Sequence, residues 1–189
     1  MDQSNKGALT NVRVLDLTHY IAGPFCTRLL ADYGAEVIKI EKPGTGDPAR
    51  NIPPFYKDEK HLEMSGLFLY LNTNKRSVTL NLKSEAGRKI LLELVRSSDV
   101  LVENFSPRVM PSLGISYETL CKANPKLVMT SISNFGQYGP YRDFKASELV
   151  LYGLGHAMHS SGLPDREPIK MWGYVNQFYA GLIAAVATL

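Results

Sequence analysis

The segment from Val12 to Glu41 constrains the fold more than any other part of the chain, because its hydrophobic period changes twice. Val12–Leu17 is an aliphatic and β-branched run of the kind that makes a buried strand. His19–Gly23 then turns the chain, and Pro24 sits where a first helical residue tolerates a missing N–H. Cys26, Leu29, Leu30 and Tyr33 recur at helical spacing, Gly34 ends the helix, and Ala35–Glu41 reads as a second buried strand. This is a β-α-β unit, which predicts a parallel sheet and an α/β fold. Its first turn places backbone N–H groups at a helix N-terminus, where such folds meet ligands. One glycine stands there where the dinucleotide fingerprint G-x-G-x-x-G needs three, so that motif is excluded.

The alternation continues beyond this unit. Leu67–Tyr70 is a short apolar patch, followed by the turn cluster Asn72-Thr73-Asn74. Ser77–Leu82 alternates like a strand. Ser84 has the character of a helix N-cap, with Gly87, Ile90, Leu91, Leu94 and Val95 inward at helical spacing. Val100–Val102 is the next strand, Pro107 opens another helix, and Leu127–Ile132 is a strand of buried character. Gly44–Leu62, rich in proline and mixed charge, is a long connection with the length of a lid.

Composition narrows the function classes. The 189 residues suffice for a sizeable core, and 44% hydrophobic with 21% charged residues is ordinary globular usage. A formal net charge of +3 is too small to imply nucleic acid but suits an anionic small molecule. Residues 1–11 form a polar N-terminal tail without an apolar signal core, and no apolar run is long enough to span a bilayer. The expectation is a cytoplasmic protein that engages neither nucleic acid nor membrane. Cys26 and Cys121 lack metal-ligand spacing and read as free thiols. His19, His61, His156 and His159 make no persuasive metal set, although His156 and His159 can share a helical face. No G-x-S-x-G, P-loop or H-E-x-x-H motif occurs.

The wording of several segments is more specific than their pattern. VLDLT, GP-x-C-x2-LLADYGAEVIKIEKPGTGDPAR, LNTNKRSVTLNLKSEAG, DVLVENFSPRVM, LGISYETL, NPKLVMTSISNFGQYGPYRD and FYAGLIAAVATL run in order through residues 14–189. Together they closely resemble the class III CoA-transferases, the family of formyl-CoA and carnitine CoA-transferases. The resemblance implies a Rossmann-like parallel sheet flanked by helices, the large-domain portion of such an enzyme, over residues 12–189. It also implies CoA as substrate, an acyl-CoA and a small carboxylic acid as partners, no metal, and a dimer whose chains interlock. Gly181–Leu189 is apolar and alanine-rich without a capping residue, and family members are considerably longer. The chain is therefore expected to be the N-terminal part of a larger protein, C-terminally incomplete relative to the family. It should associate with itself or with a C-terminal portion.

The resemblance also assigns candidate residues. Lys42, just past the second strand, matches a basic position used on the nucleotide part of CoA; without the resemblance it reads as a solvated surface lysine. Leu80, Asn81 and Lys83 match a stretch lining the CoA channel. Asn104 and Phe105 match another, where Asn104 is suited to a pantetheine amide and Phe105 to packing against the ligand. The plain alternatives are a turn asparagine and a core phenylalanine. Ile21 and Ala22 match positions near the thioester and would act through backbone groups. Lys145, Ser147 and Glu148 match a segment facing CoA and substrate, Glu148 beside the reaction centre; an acidic residue there also suits a helix start. A family arginine falls at Ser112, which leaves Arg108 as a substitute. A racemase branch places a histidine where Lys145–Glu148 stands here, so racemisation is disfavoured.

The family's nucleophile is an aspartate that forms a mixed anhydride and then an aspartyl-CoA thioester. It stands in a pattern like D-x-x-x-G, and counting back from Gly181 reaches Gln177. A neutral amide is far less nucleophilic than a carboxylate, so Gln177 is expected to orient a thioester and not to attack one. Asp165 lies in a polar turn and reads as a loop residue. Two functions follow as expectations. One is a CoA-transferase domain moving CoA between an acyl-CoA and a carboxylic acid. The other is a non-catalytic CoA-binding or architectural half of a tandem or hetero-oligomeric CoA-transferase or CoA-lyase.

Overall fold

The computed structural model describes residues 7–189. Of the expected N-terminal tail, residues 1–6 lie outside the described residues. Residues 7–11 turn back onto the domain, with Leu9 N–H donating to Tyr33 O at 2.9 Å. Five strands form one sheet: β1 (Arg13–Asp16), β2 (Glu36–Glu41), β3 (Lys75–Thr79), β4 (Val100–Glu103) and β5 (Val128–Ser131). Their order is β3-β2-β1-β4-β5 and every pairing is parallel. Among the described residues seven α-helices connect and follow them: α1 (Ala22–Asp32), α2 (Gly66–Leu71), α3 (Glu85–Arg96), α4 (Val109–Ser112), α5 (Tyr117–Ala123), α6 (Glu148–Leu154) and α7 (Val175–Thr188). The expected α/β fold with a Rossmann-like parallel sheet is what the chain adopts.

Successive strand residues point to opposite faces of the sheet, and this splits the core in two. Val14, Val37, Val100 and Val102 pack with Cys26, Leu30 and Ala185 of α1 and α7. Leu15, Ile40 and Leu101 pack on the other face with Leu91 and Val95 of α3 and Leu120 of α5. Helices thus cover both faces, which explains why aliphatic residues of these strands point to both sides. Ser84 caps α3 as expected, its Oγ accepting from Gly87 N–H at 3.0 Å.

Several local expectations need correction. β3 starts two residues earlier than expected because Lys75 enters the sheet as a buried ion-pair partner. The Leu67–Tyr70 patch is part of α2, capped by Ser65. Pro24 lies inside the first turn of α1, where its missing N–H is still harmless. Ile90 is half exposed, and β5 is half exposed because it is an edge strand. The long connection is no free lid. Arg50 pairs with Glu41 at 2.8 Å, and Ser65 Oγ donates to Ala49 O and Ile52 O at 2.9 and 2.6 Å, which pins it to the sheet end.

At the middle of this sheet the chain runs outward in both directions, from β1 to β2 on one side and from β4 to β5 on the other. The loops after β1 and β4 therefore part at the C-terminal ends of the strands, leaving a crevice of the kind that holds ligands in open α/β sheets.

Candidate functional site

The floor of the crevice is a buried ionic row on the α1 face of the sheet. Asp16 and Lys39 are register partners in β1 and β2. Lys75 Nζ pairs with Asp16 Oδ2 at 2.9 Å and Lys39 Nζ with Asp47 Oδ2 at 2.9 Å, all four side chains being essentially inaccessible. Thr18 and Thr27 hydroxyls donate to Asp16 at 2.5 and 2.7 Å. Burial alone would raise the Asp16 carboxyl, but Lys39, Lys75 and the two hydroxyls outweigh it and hold it well below the usual carboxylate range. Burial lowers Lys75 to about 8 despite the attraction of Asp16. Gly23 is required beside this row, since a Cβ there would lie 2.3 Å from Thr18 Cβ.

Two cavities open above the floor. The narrower, about 550 Å³, is bounded by the ends of β1, β2 and β3 and by α4. It brings together Lys42, Leu80, Asn81, Lys83 and Phe105, with Ser112 also on its wall. The ammonium-bearing residues Lys42 and Lys83 are exposed, Leu17, Ile40, Leu80, Leu82 and Val109 give an apolar wall, and Glu41 and Asp47 are paired with Arg50 and Lys39. This combination suits an anionic ligand with a flat apolar part. Thr45–Pro48 of the pinned connection closes one side.

The wider cavity, about 1040 Å³, is bounded by Ile21 and Ala22 at the start of α1, by the loop after β4, and by α6 and α7. It brings together Ile21, Ala22, Asn104, Phe105, Arg108, Lys145, Glu148 and Gln177. Gln177 lies in the first turn of α7, next to Asn176, whose N–H donates to Glu148 Oε1 at 2.8 Å. Glu148 thus caps α7 from the first turn of α6, and its other oxygen, Oε2, is buried without a hydrogen-bond partner. Helix α7 approaches closely because position 181 is glycine: a Cβ there would stand 2.4 Å from Ala22 O.

The expected residues divide between the two cavities. Arg108 lines the wider cavity whereas Ser112 lines the narrower, and Arg108 holds Asp143 through two contacts of 2.9 and 2.7 Å. That bidentate pair engages the Arg108 guanidinium at the rim of the wider cavity. Lys145 likewise belongs to the wider cavity, away from Lys42 and Lys83. Asn104 lines the wider cavity, but its carboxamide is turned to the backbone of His19.

His19 went unassigned in the sequence and lines both cavities, as does Phe105. Its ring stands 5.3 Å from Phe105 and 5.2 Å from Tyr20. Burial lowers its pKa, with Asp47 opposing. Its position at the end of the first strand was the available signal. Cys26 is buried and its thiol is pushed up to about 12, so it offers no nucleophile. Among the described residues no group of three His, Cys, Asp or Glu side chains is arranged to hold a metal ion, and no helix is long and apolar enough to cross a membrane.

Comparison with known proteins adds a family to this geometry. Residues 9–189 match the model of CoA-transferase family III. The chain is 44% identical over 168 residues to an acetyl-CoA:oxalate CoA-transferase of Acetobacter aceti, covering 89% of this chain and 42% of that protein. It is 42% identical over 182 residues to a formyl-CoA:oxalate CoA-transferase of Streptomyces avermitilis, covering 96% and 43%. A crystal structure of a CAIB/BAIF family protein from Brucella suis superposes with a TM-score of 0.89 at 34% identity, covering 97% of this chain and 48% of that one. The chain spans less than half the length of the relatives it matches.

Proposed function

The chain belongs to CoA-transferase family III, and we propose that it forms the CoA-binding half of an active site that moves CoA between an acyl-CoA and a small carboxylic acid. The observation that carries this reading is the pair of contiguous cavities at the sheet's crevice. In this reading the nucleotide and phosphates occupy the narrower cavity, beside Lys42 and Lys83, with the adenine against Leu80 and Phe105. The pantetheine arm then passes His19 into the wider cavity, and the thioester lies near the N-terminus of α1 and Gln177. Relatives named for oxalate support a small carboxylic acid as the acceptor.

The residues around the thioester suit orientation better than covalent attack. Gln177 has an amide that can hydrogen-bond a thioester carbonyl, and a neutral amide does not displace a thiolate at useful rates. Glu148 is committed through one oxygen to the α7 backbone. This favours a second function for the chain by itself, a CoA-binding half whose nucleophile comes from elsewhere in the assembly. Leu182, Ile183 and Val186 expose apolar side chains on α7, which supports coverage of that face by further protein, from the same polypeptide or a second copy.

Intact-mass spectrometry of the complete protein, incubated with acyl-CoA and a carboxylic acid, tests this division. CoA transfer should occur without a covalent acyl or CoA adduct on residues 7–189. An adduct mapped to Glu148, Asp165 or another carboxylate of this chain would show that it carries the nucleophile itself.

A further inference from the structure

We propose that Asn104 is a positioning residue which clamps the peptide of His19, and that His19 is the side chain that orients a ligand crossing between the two cavities. The proposal rests on CoA being that ligand. A carboxamide offers one acceptor oxygen and two N–H donors. Asn104 Oδ1 accepts the His19 N–H at 2.9 Å, and Asn104 Nδ2 donates to His19 O at 2.7 Å. Both backbone groups of one residue are thereby satisfied by one side chain from the neighbouring strand. The last backbone bond between these strands on this side is Leu17 N–H to Val102 O at 2.9 Å. Asn104 extends that ladder with a side chain where the two chains diverge.

The rest of the turn is held as tightly. Thr18 O accepts from Lys39 Nζ at 2.8 Å, and Thr18 N–H donates to Asp16 Oδ1 at 2.9 Å. Tyr20 has φ of 64°, a left-handed conformation unfavourable for a non-glycine residue. Its N–H is held by Asp47 Oδ1 at 3.0 Å, and Asp47 is in turn paired with Lys39. Three neighbouring residues are thus anchored to β1, to β2 and its following loop, and to β4. Such a device fixes whatever the turn presents, and what it presents is the His19 imidazole at the boundary of both cavities.

That imidazole makes no side-chain hydrogen bond among the described residues, although it is largely buried. Held neutral by burial, it offers one N–H donor and one bare nitrogen acceptor. The pantetheine arm of CoA carries secondary amides in its middle, each with a donor and an acceptor to match. Asn104, by contrast, has already spent its oxygen and one N–H on the turn. It therefore acts on the ligand through His19.

A double-mutant cycle on the complete protein separates this from direct contact. CoA affinity is measured by calorimetry for wild type, His19→Phe, Asn104→Ala and the pair. His19→Phe keeps a flat ring for Phe105 and Tyr20 but cannot hydrogen-bond. Each single change should weaken CoA about tenfold, and the pair should be no weaker than about the larger single. Losses that multiply to about a hundredfold, or full affinity in either single variant, would overturn the proposal. A second readout needs no CoA. By NMR titration of the free protein, the His19 imidazole should titrate below the ordinary histidine value and move toward it in Asn104→Ala. Asp47, Lys39 and Asp16, the charged groups that face it, are unchanged in that variant. An unmoved titration would overturn the clamp. Asn104→Ser, too short to span both groups, carries the same expectations should the alanine variant not fold. Failure of the wild-type protein to bind CoA would overturn the functional reading and the ligand role of His19 together, and the titration would still decide the clamp.

Discussion

The narrower cavity is walled by strand ends and a pinned connection, and the two carboxylates in its wall, Glu41 and Asp47, are already paired with Arg50 and Lys39. The wider cavity shares only His19 and Phe105 with it, and its far wall is the first turns of α6 and α7 with the exposed loops that lead to them. Phe144 on its wall is more than half exposed, and Tyr174 is partly so. The contrast locates two different jobs. A rigid, cationic cleft suits the invariant nucleotide end of a ligand, and a wall of helix starts and loops suits the end where acids of different shape must be exchanged. It also locates stability, which belongs to the first region far more than to the second.

The largest expected effect falls on the buried ionic row. Asp16→Ala leaves Lys75 buried without its ion-pair partner, while Lys39 keeps Asp47, and should cost about 3–5 kcal/mol in urea unfolding. An effect under about 1 kcal/mol would break the claim that this row fixes the crevice. Acid should expose the same row without mutation. Glu41 titrates at about 2 in the folded protein, where burial is outweighed by Arg50, the Asp47 N–H and Ser77, and Asp16 is lowered as well. Both lie below their unfolded values near 4, so the unfolded chain takes up protons first. Their stabilisation is complete above pH of about 5 and should fall as pH drops toward 2, as followed by circular dichroism. A flat profile across that window would contradict it.

Next in size is Gly181→Ala, which forces α7 away from Ala22 and should cost about 1–3 kcal/mol. It sharpens the comparison because the wider cavity alone should change. A crystal structure of the variant should show α7 displaced with Lys42, Lys83 and Leu80 in place. Smaller again are Lys42→Ala and Lys83→Ala, each expected to weaken CoA by about 1–2 kcal/mol at low salt, since exposed ammonium groups are screened. Unchanged affinity in both would remove the nucleotide from the narrower cavity. The smallest effect is Arg108→Ala. Its pair with Asp143 lies in solvent, so thermal unfolding should be unchanged, and a clear loss of stability would show that the loops of the wider cavity are better anchored than their exposure implies.

Much of the architecture was legible because burial on both sheet faces makes the strands aliphatic, as in Val100–Val102 and, around Arg13 and Asp16, in Val12–Leu17. Where charge entered the sheet, the pattern failed. Lys75 moved the start of β3, since a buried lysine is indistinguishable in sequence from a solvated one. The edge strand β5 lost its expected burial for want of a covering neighbour, which no local pattern reports. The family wording gathered the residues of the crevice, and strand ends were enough to bring Lys42 and Lys83 together. What it did not convey was which side chains face a ligand and which face the protein. Asn104 reaches His19 across 85 positions of sequence, and Glu148 reaches Asn176 across 28. Both are long-range hydrogen bonds, set by topology and invisible to spacing.

The central claim is that one CoA molecule spans both cavities, entering at Lys42 and Lys83 and passing His19 to reach Gln177. A crystal structure of the complete protein with CoA tests it most directly. The account predicts phosphates within charge-assisted hydrogen-bonding distance of the Lys42 and Lys83 side chains, the pantetheine arm against the His19 imidazole, and the thiol beside the first turn of α7. CoA bound in the opposite sense, or outside the crevice between β1 and β4, would contradict it.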